Sequence, residues 1–342
     1  MIREAIAALV EGRSLTEADA AAVMEEIMSG EATPAQFGAF VIALRLKGET
    51  VDEIAGMARV MRDKAHRVHI EGALLDTCGT GGDARGTFNV STAAAFVAAG
   101  AGARVAKHGN RAMTSRCGSA DVLEALGARI DLSPVQVKAC LEETGVGFMF
   151  APNFHPAMKF AAGPRREIGV RTVFNILGPL TNPAGATCQV LGVAHPSLAE
   201  TMAQVLARLG SRHALVVHGR DGLDEMSISG PTLVCELAEG RVRQYDVTPQ
   251  EVGLAPSEAA SVAGGTPEEN AAAQREVLAG RPGPLRDIVL LNAAAGLVAY
   301  ETASTLAEGV ALAADAIDSG AARQRLERFV EITNRLAENK SA

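Results

Sequence analysis

Between Asp76 and Thr92 the sequence reads DTCGTGGDARGTFNVST, with four glycines in eight residues: Gly79, Gly81, Gly82 and Gly86. Glycines at this density let a backbone close on a ligand and turn its N–H groups towards an anion. Asn89, Ser91 and Thr92 stand where an alanine-rich run, residues 93–99, begins a helix. Free N–H groups, the helix dipole and nearby hydroxyl and amide donors all favour negative charge there, so the run predicts a phosphate cradle. Two common phosphate motifs do not fit. A dinucleotide fingerprint opens its helix at once and places an acid about 20 residues on, whereas no Asp or Glu lies between Asp83 and Asp121. A Walker loop needs Lys after its last glycine, and Thr87 follows Gly86.

A second cluster runs from Lys107 to Asp121 and contains His108, Asn110, Arg111, Thr114, Ser115, Arg116 and Ser119. Residues 103–106 before it read as a strand and residues 122–126 after it as a helix start. Its three cations (Lys107, Arg111, Arg116) and several hydroxyls at a strand end suit a second, highly charged phosphate group. A third element, the adjacent Asp224 and Glu225, follows the apolar run 214–218. Such a pair alone fits a solvated loop. Beside two phosphate cradles it reads as hard oxygen ligands for Mg²⁺ bridging phosphates.

Together these elements resemble the anthranilate phosphoribosyltransferase family over nearly the whole chain. The resemblance rests on Gly-Thr-Gly-Gly-Asp at 79–83, Thr-Phe-Asn-x-Ser-Thr at 87–92, Lys-His-Gly-Asn-Arg at 107–111 and Gly-Ser-Ala-Asp at 118–121. It extends through His-Pro-Ala-Met-Lys at 155–159 and Arg-Arg-Glu-Ile-Gly at 165–169 to the long Arg-Thr-Val-Phe-Asn-Ile-Leu-Gly-Pro-Leu-Thr-Asn-Pro string at 171–183. It implies transfer of 5-phosphoribose from phosphoribosyl pyrophosphate (PRPP) to the amine of anthranilate, with release of pyrophosphate, in tryptophan biosynthesis. It implies PRPP-binding positions at Gly79, Gly82, Asp83, Thr87, Asn89, Val90, Ser91, Thr92, Lys107, Ser115 and Ser119. The implied anthranilate positions are Gly79, His108, Asn110, Arg165 and Pro179, and the implied Mg²⁺ positions are Ser91, Asp224 and Glu225. Three departures stand out: Arg116 and Cys117 occupy variable positions, where Cys117 near the PRPP loop would confer sensitivity to oxidation, and Ala84 replaces a frequent Gly.

The chemistry agrees with this reading. PRPP carries a diphosphate at C1 and a phosphate at C5, so two anion sites flanking a ribose are needed. The amine of anthranilate is a poor nucleophile because its lone pair is delocalised into the ring. Departure of the diphosphate must therefore lead, through an oxocarbenium-like transition state favoured by Mg²⁺ and Lys107. Arg165 is the natural fork for the anthranilate carboxylate. No strong general base is evident; His108 is the best placed, with orienting a loop or touching substrate its favoured role.

These residues need a frame to hold them. Three N-terminal helices are marked by Thr16 before the first, Thr33 with Pro34 and Gln36 before the second, and Thr50 with Glu53 before the third, which runs to about residue 64. Further on, strands are expected at 74–77, 104–107, 146–150, 189–193 and 214–218, with a hairpin of 233–237 and 242–246 around Glu239 and Gly240. Helices are expected at 134–143, 198–209, within 155–177 and from about residue 267, with a small loop at 257–266. The fold class is α/β: a small all-helical N-terminal domain (1–70, completed by helices within 155–178) and a larger α/β domain (71–154 and 179–342). A mostly parallel central sheet flanked by helices carries the motifs at its strand C-termini. Closure between the two domains would bring Arg165 to the cradles.

At 342 residues the chain allows two domains and can bury a full core. Its net charge of −8 disfavours nucleic acid as a partner. Five scattered cysteines without a Cys-x-x-Cys pair read as reduced thiols of a cytoplasmic protein. No secretory signal and no membrane span are expected. The resemblance implies a homodimer through the helical domain. Two alternatives remain: a pyrimidine-nucleoside phosphorylase, which would need a free-phosphate site and a pyrimidine pocket, and a non-enzymatic nucleic-acid-binding paralogue.

Overall fold

The computed structural model describes residues 1–112 and 116–338. Four helices open the chain: α1 (Ile2–Val10), α2 (Glu17–Met28), α3 (Pro34–Lys47) and α4 (Val51–Asp63). Thr16 caps α2 by accepting the Asp19 N–H, while Thr33 with Gln36 and Thr50 with Glu53 form reciprocal capping boxes on α3 and α4. Glu53 does more than cap. Fully buried, it accepts the Leu15 and Thr50 N–H groups at 2.9 and 2.8 Å and pairs with Lys47 at 2.9 Å. One carboxylate thus ties the entry to α2 and the end of α3 to the start of α4.

The chain returns to these helices after the third strand. Here α8 (Ala151–Phe154), α9 (Lys159–Ile168) and α10 (Phe174–Leu177) form, with α9 ending where Gly169 takes a left-handed conformation at φ 68°. Ala161, Phe174, Ile176 and Leu177 share a core with Phe37, Phe40 and Met57. The rings of Phe37 and Phe174 lie 5.2 Å apart, a pairing worth about 1 kcal/mol beyond simple burial.

The sheet has seven strands: β1 (Leu75–Gly79), β2 (Val105–Gly109), β3 (Val146–Phe150), β4 (Cys188–Gly192), β5 (His213–Gly219), β6 (Thr232–Ala238) and β7 (Arg241–Val247). Their order is β3-β2-β1-β4-β5-β6-β7, with β1 to β5 parallel and β6–β7 an antiparallel hairpin at one edge. Alternate residues serve opposite faces. Leu215 and Val217 join α5 (Val90–Gly100), α13 (Pro284–Ala299) and α15 (Ala321–Glu338) in one core. Ala214 and Val216 join α11 (Ser197–Arg208) and the N-terminal helices in the other. The remaining helices are α6 (Ser119–Ala125), α7 (Pro134–Thr144), α12 (Pro267–Leu278) and α14 (Leu306–Asp318).

The expected strands all form, each within a few residues of its expected span, and the hairpin turns at Glu239 and Gly240. The chain order reverses between β1 and β4, where parallel sheets open a crevice at their strand C-termini. Gly79 and Gly192 are register partners at that point.

Candidate active site

The crevice is occupied by Asp224, which follows β5. A Cβ placed on Gly79 would lie 2.5 Å from Asp224 Oδ2, and one on Gly192 would lie 1.6 Å from the Asp224 carbonyl oxygen. Bare backbone at both strand ends is what lets this loop settle between them. Gly81 then donates its N–H to Asp224 Oδ2 at 2.8 Å. The loop is held from behind by the buried Asn292 of α13, which accepts from Met226 N–H at 2.9 Å and donates to the Met226 carbonyl at 3.0 Å. Asp221 accepts the Ser227 hydroxyl at 2.7 Å and stiffens the same loop.

Beside Asp224 stand Asp83 and Glu225. Asp224 has its acidity weakened by desolvation and by the facing Asp83, and Glu225 by desolvation and by Asp224, so both carboxyls sit well above the usual range. Lys107 offsets part of this charge. Its ammonium is buried and donates to the Thr77 carbonyl and, at 3.2 Å, to the Ser91 hydroxyl. Burial lowers the Lys107 pKa, opposed by Asp76. Asp76 is itself buried on β1, accepting from Asn182 at 2.8 Å and from the His108 N–H at 3.2 Å. Asn182 also donates to the Ala106 carbonyl at 2.8 Å, so the loop after α10 is tied to β1 and β2 directly beneath Lys107.

At the start of α5 the Asn89 amide, expected as a donor to the phosphate, is already committed within the protein. Asn89 occupies the cap position without capping; its amide donates to the Cys117 carbonyl at 3.1 Å and its oxygen accepts from Asn270 at 2.9 Å. Asn89 therefore fastens the second loop to α5 and α12 with its side chain, while its carbonyl accepts the Thr92 and Ala93 N–H groups, each at 3.1 Å. Val90 begins α5 within the core, Ser91 faces Lys107, and the buried Thr92 hydroxyl has no protein partner. Thr87 is pinned by a bridge to Ala263, with Phe88 N–H donating to Val262 at 3.1 Å, so the stretch read as a small loop at 257–266 backs the cradle.

In the second cluster, Arg111 is not a free cation: it pairs with Asp121 at 3.0 Å and Glu124 at 2.5 Å. Asp121 also accepts the Ala112 and Gly118 N–H groups at 2.9 and 2.8 Å. Asn110 is exposed, and its carbonyl accepts the Ser119 hydroxyl at 3.3 Å. Ser115 lies outside the described residues. Cys117 is buried, and desolvation pushes its thiol up to about 11. The expected sensitivity to oxidation does not follow, because the reactive species is the thiolate.

On the helical side, Arg165 of α9 stacks over Phe174, 5.5 Å from guanidinium carbon to ring centre. His108 and His155 face each other with ring centres 5.0 Å apart. Burial and the His155 ring push His108 down to about 3; burial pushes His155 down to about 4. Each has a buried Nε2 without a hydrogen-bond partner. A neutral imidazole of such low basicity is a contact surface or a weak hydrogen-bonding group, a poor general base. Pro179 lies in the adjoining turn, its carbonyl accepting from Gln189 at 2.7 Å.

The structure thus brings Gly79, Asp83, Ser91, Lys107, Asp224 and Glu225 together around the β1–β4 crevice and places Arg165 beside Phe174. It adds residues that sequence reasoning missed: Arg171, which touches the glycine loop, and Asn182 and Asn292, which set the loops in place. Arg171 and Asn182 lie inside the long family-like string, but nothing in the string says where they point.

A divalent cation suits this donor set. Asp83 Oδ2 is buried and unpartnered, and the Asp224 and Glu225 carboxyls are crowded together. Among the described residues no group of three His, Cys, Asp or Glu side chains closes a metal shell alone. Phosphate oxygens and water would complete it, as is usual for Mg²⁺.

Residues 3–65 match the model of the glycosyl transferase family helical bundle domain and residues 71–323 that of the glycosyl transferase family a/b domain. The anthranilate phosphoribosyltransferase of Moorella thermoacetica is 59% identical over 96% of this chain and 98% of its own length. That of Chloroflexus aurantiacus is 60% identical over 97% and 98%. The crystal structure of the Thermus thermophilus enzyme superposes with a TM-score of 0.92 at 48% identity, covering 96% of this chain and 99% of that one. The Saccharomyces cerevisiae enzyme in complex with PRPP and Mg superposes with a TM-score of 0.90 at 30% identity, covering 98% of each chain. With its two domain models and near-full-length relatives in agreement, the chain belongs to the anthranilate phosphoribosyltransferase family.

Proposed function

We propose that this chain transfers the 5-phosphoribosyl group of PRPP to the amine of anthranilate, releasing pyrophosphate, as a step of tryptophan biosynthesis. The single observation that carries the reading is the crevice at Gly79 and Gly192. It holds crowded carboxylates beside a glycine loop and a buried lysine, the setting a magnesium diphosphate requires. Relatives named for this activity over 96% of the chain set aside the pyrimidine-nucleoside phosphorylase and nucleic-acid-binding alternatives.

In this reading Asp224, Glu225 and Ser91 hold Mg²⁺, which when bound supplies positive charge at the diphosphate oxygens. The N–H groups of the glycine loop and the Lys107 ammonium bind the leaving group, so the C1–O bond breaks with its electron pair going to pyrophosphate. The unpartnered Thr92 hydroxyl and the positive end of the α5 dipole receive the 5-phosphate. Arg165 grips the anthranilate carboxylate, and the neutral pair His108 and His155, with Pro179 and Asn110, lines the path of the ring. The amine nitrogen bonds to C1 and its proton passes to water, with no protein base required.

The same reading includes a cytoplasmic homodimer. Val10, Leu46 and Phe160 are exposed apolar side chains of the helical part, at 73%, 82% and 41% exposure, and five unpaired cysteines suit a reducing compartment. No described helix is long and apolar enough to cross a membrane. The test is release of pyrophosphate from PRPP: release in equimolar amount with anthranilate consumed supports the transfer, and release independent of anthranilate contradicts it.

A further inference from the structure

We propose that Arg171 is a positioning residue for the diphosphate end of PRPP, a strut from the helical side that holds the glycine loop in its binding shape; this rests on the reading above. Arg171 follows the left-handed Gly169 at the end of α9, in the segment that packs with the N-terminal helices. Its guanidinium crosses to the glycine loop and donates from Nη2 to the Thr80 carbonyl at 3.1 Å. The contact is close elsewhere too. A Cβ on Gly82 would lie 2.0 Å from Arg171 Nη1 and 2.5 Å from Cζ, so the absence of a side chain at Gly82 is what admits the guanidinium. Gly82 also takes φ 85°, a conformation costly for other residues.

The charges around Arg171 fit this role. Asp224 and Asp83 act on it from the crevice, and Arg45 of α3 opposes them; half-buried, it is desolvated enough that its pKa falls somewhat, yet a guanidinium stays charged. Of its five N–H groups, one is committed to the Thr80 carbonyl, while the Nη1 side lies over Gly82, where the loop turns its backbone towards the crevice. A planar fork over an anion-binding loop, beside carboxylates that hold the metal, adds fixed positive charge at the diphosphate position. Arg171 and Arg165 lie six positions apart on one crossing segment. The segment that grips the anthranilate carboxylate therefore also grips the loop that holds the departing group.

The experiment is titration calorimetry of PRPP, and separately of inorganic pyrophosphate, into the Mg²⁺-supplemented protein without anthranilate, alongside steady-state kinetics. Wild type, Arg171→Ala and Arg171→Lys are compared. Arg171→Ala should weaken PRPP and pyrophosphate binding on the order of tenfold, with the anthranilate KM changed less than about twofold. Arg171→Lys should recover part of the loss, because it keeps the charge but not the planar fork. A melting scan establishes that each variant is folded; should Arg171→Ala unfold, Arg171→Lys alone must still show weaker pyrophosphate binding. Unchanged pyrophosphate binding, or equal rises in both KM values, overturns the strut. A wild-type protein that binds pyrophosphate tightly but never consumes anthranilate overturns the transferase reading and leaves the strut standing.

Discussion

Gly79 ends β1 directly against Asp224, with only 2.5 Å between Oδ2 and the point where a Cβ would be, and the neighbouring Gly81 N–H closes on the same oxygen at 2.8 Å. The glycine loop therefore has two tasks. It offers N–H groups to an anion, and it makes room for a carboxylate from the loop after β5, two strands away. Gly79→Ala should push Asp224 out of the crevice. A displacement of this size near the reacting groups costs on the order of 100-fold in kcat/KM, with the melting temperature nearly unchanged. Turnover at the wild-type level would show that Asp224 does not need this seat.

Arg165→Ala removes the fork assigned to the anthranilate carboxylate. The anthranilate KM should rise by about tenfold or more, with the PRPP KM far less affected. Equal effects on both would assign Arg165 to general packing over Phe174.

How much of this was legible in the sequence follows from where each interaction is encoded. The parallel strands announced themselves as short apolar runs, and Thr16, Thr33 and Thr50 marked helix starts by local capping chemistry that the structure repeats. The glycine loop and the Asp224–Glu225 pair were readable because composition at a strand end carries them. What could not be read was direction across space. Arg111 looked like a phosphate ligand until Glu124, a helical turn beyond the loop, proved to neutralise it. Asn89 looked like an amide donor to the phosphate, but Asn270 and Cys117, both distant in sequence, claim its side chain. Arg171 was invisible for the converse reason: its partner Thr80 lies 91 residues away.

Glu53 offers a stability test in the helical part. Glu53→Ala removes the buried partner of Lys47 and strands the N–H groups of Leu15 and Thr50. Loss of about 3 kcal/mol is expected in urea unfolding. A loss below about 1 kcal/mol would place Glu53 among ordinary surface pairs.

Glu236 sets an acid limit. Burial alone would raise its pKa, but hydrogen bonds from His213, Tyr245 and Arg243 bring it down to about 2 from an ordinary 4.5. A depressed carboxyl stabilises fully above its unfolded value and loses that contribution as pH falls through the folded one. The melting-temperature gap between wild type and Glu236→Gln should therefore be wide at pH 7 and narrow steadily from about pH 4.5 towards pH 2. A gap that does not change with pH would remove the charge from the account.

Metal-assisted transfer to anthranilate at the Asp224 crevice is tested by anthranilate fluorescence followed in time with PRPP. Wild type is assayed with Mg²⁺ and with EDTA, beside the double variant Asp224→Asn with Glu225→Gln. Signal should fall only when PRPP and Mg²⁺ are both present, and the double variant should lose at least about 100-fold at low Mg²⁺ while remaining folded. Anthranilate consumption that survives EDTA, or is untouched in the double variant, would contradict the account.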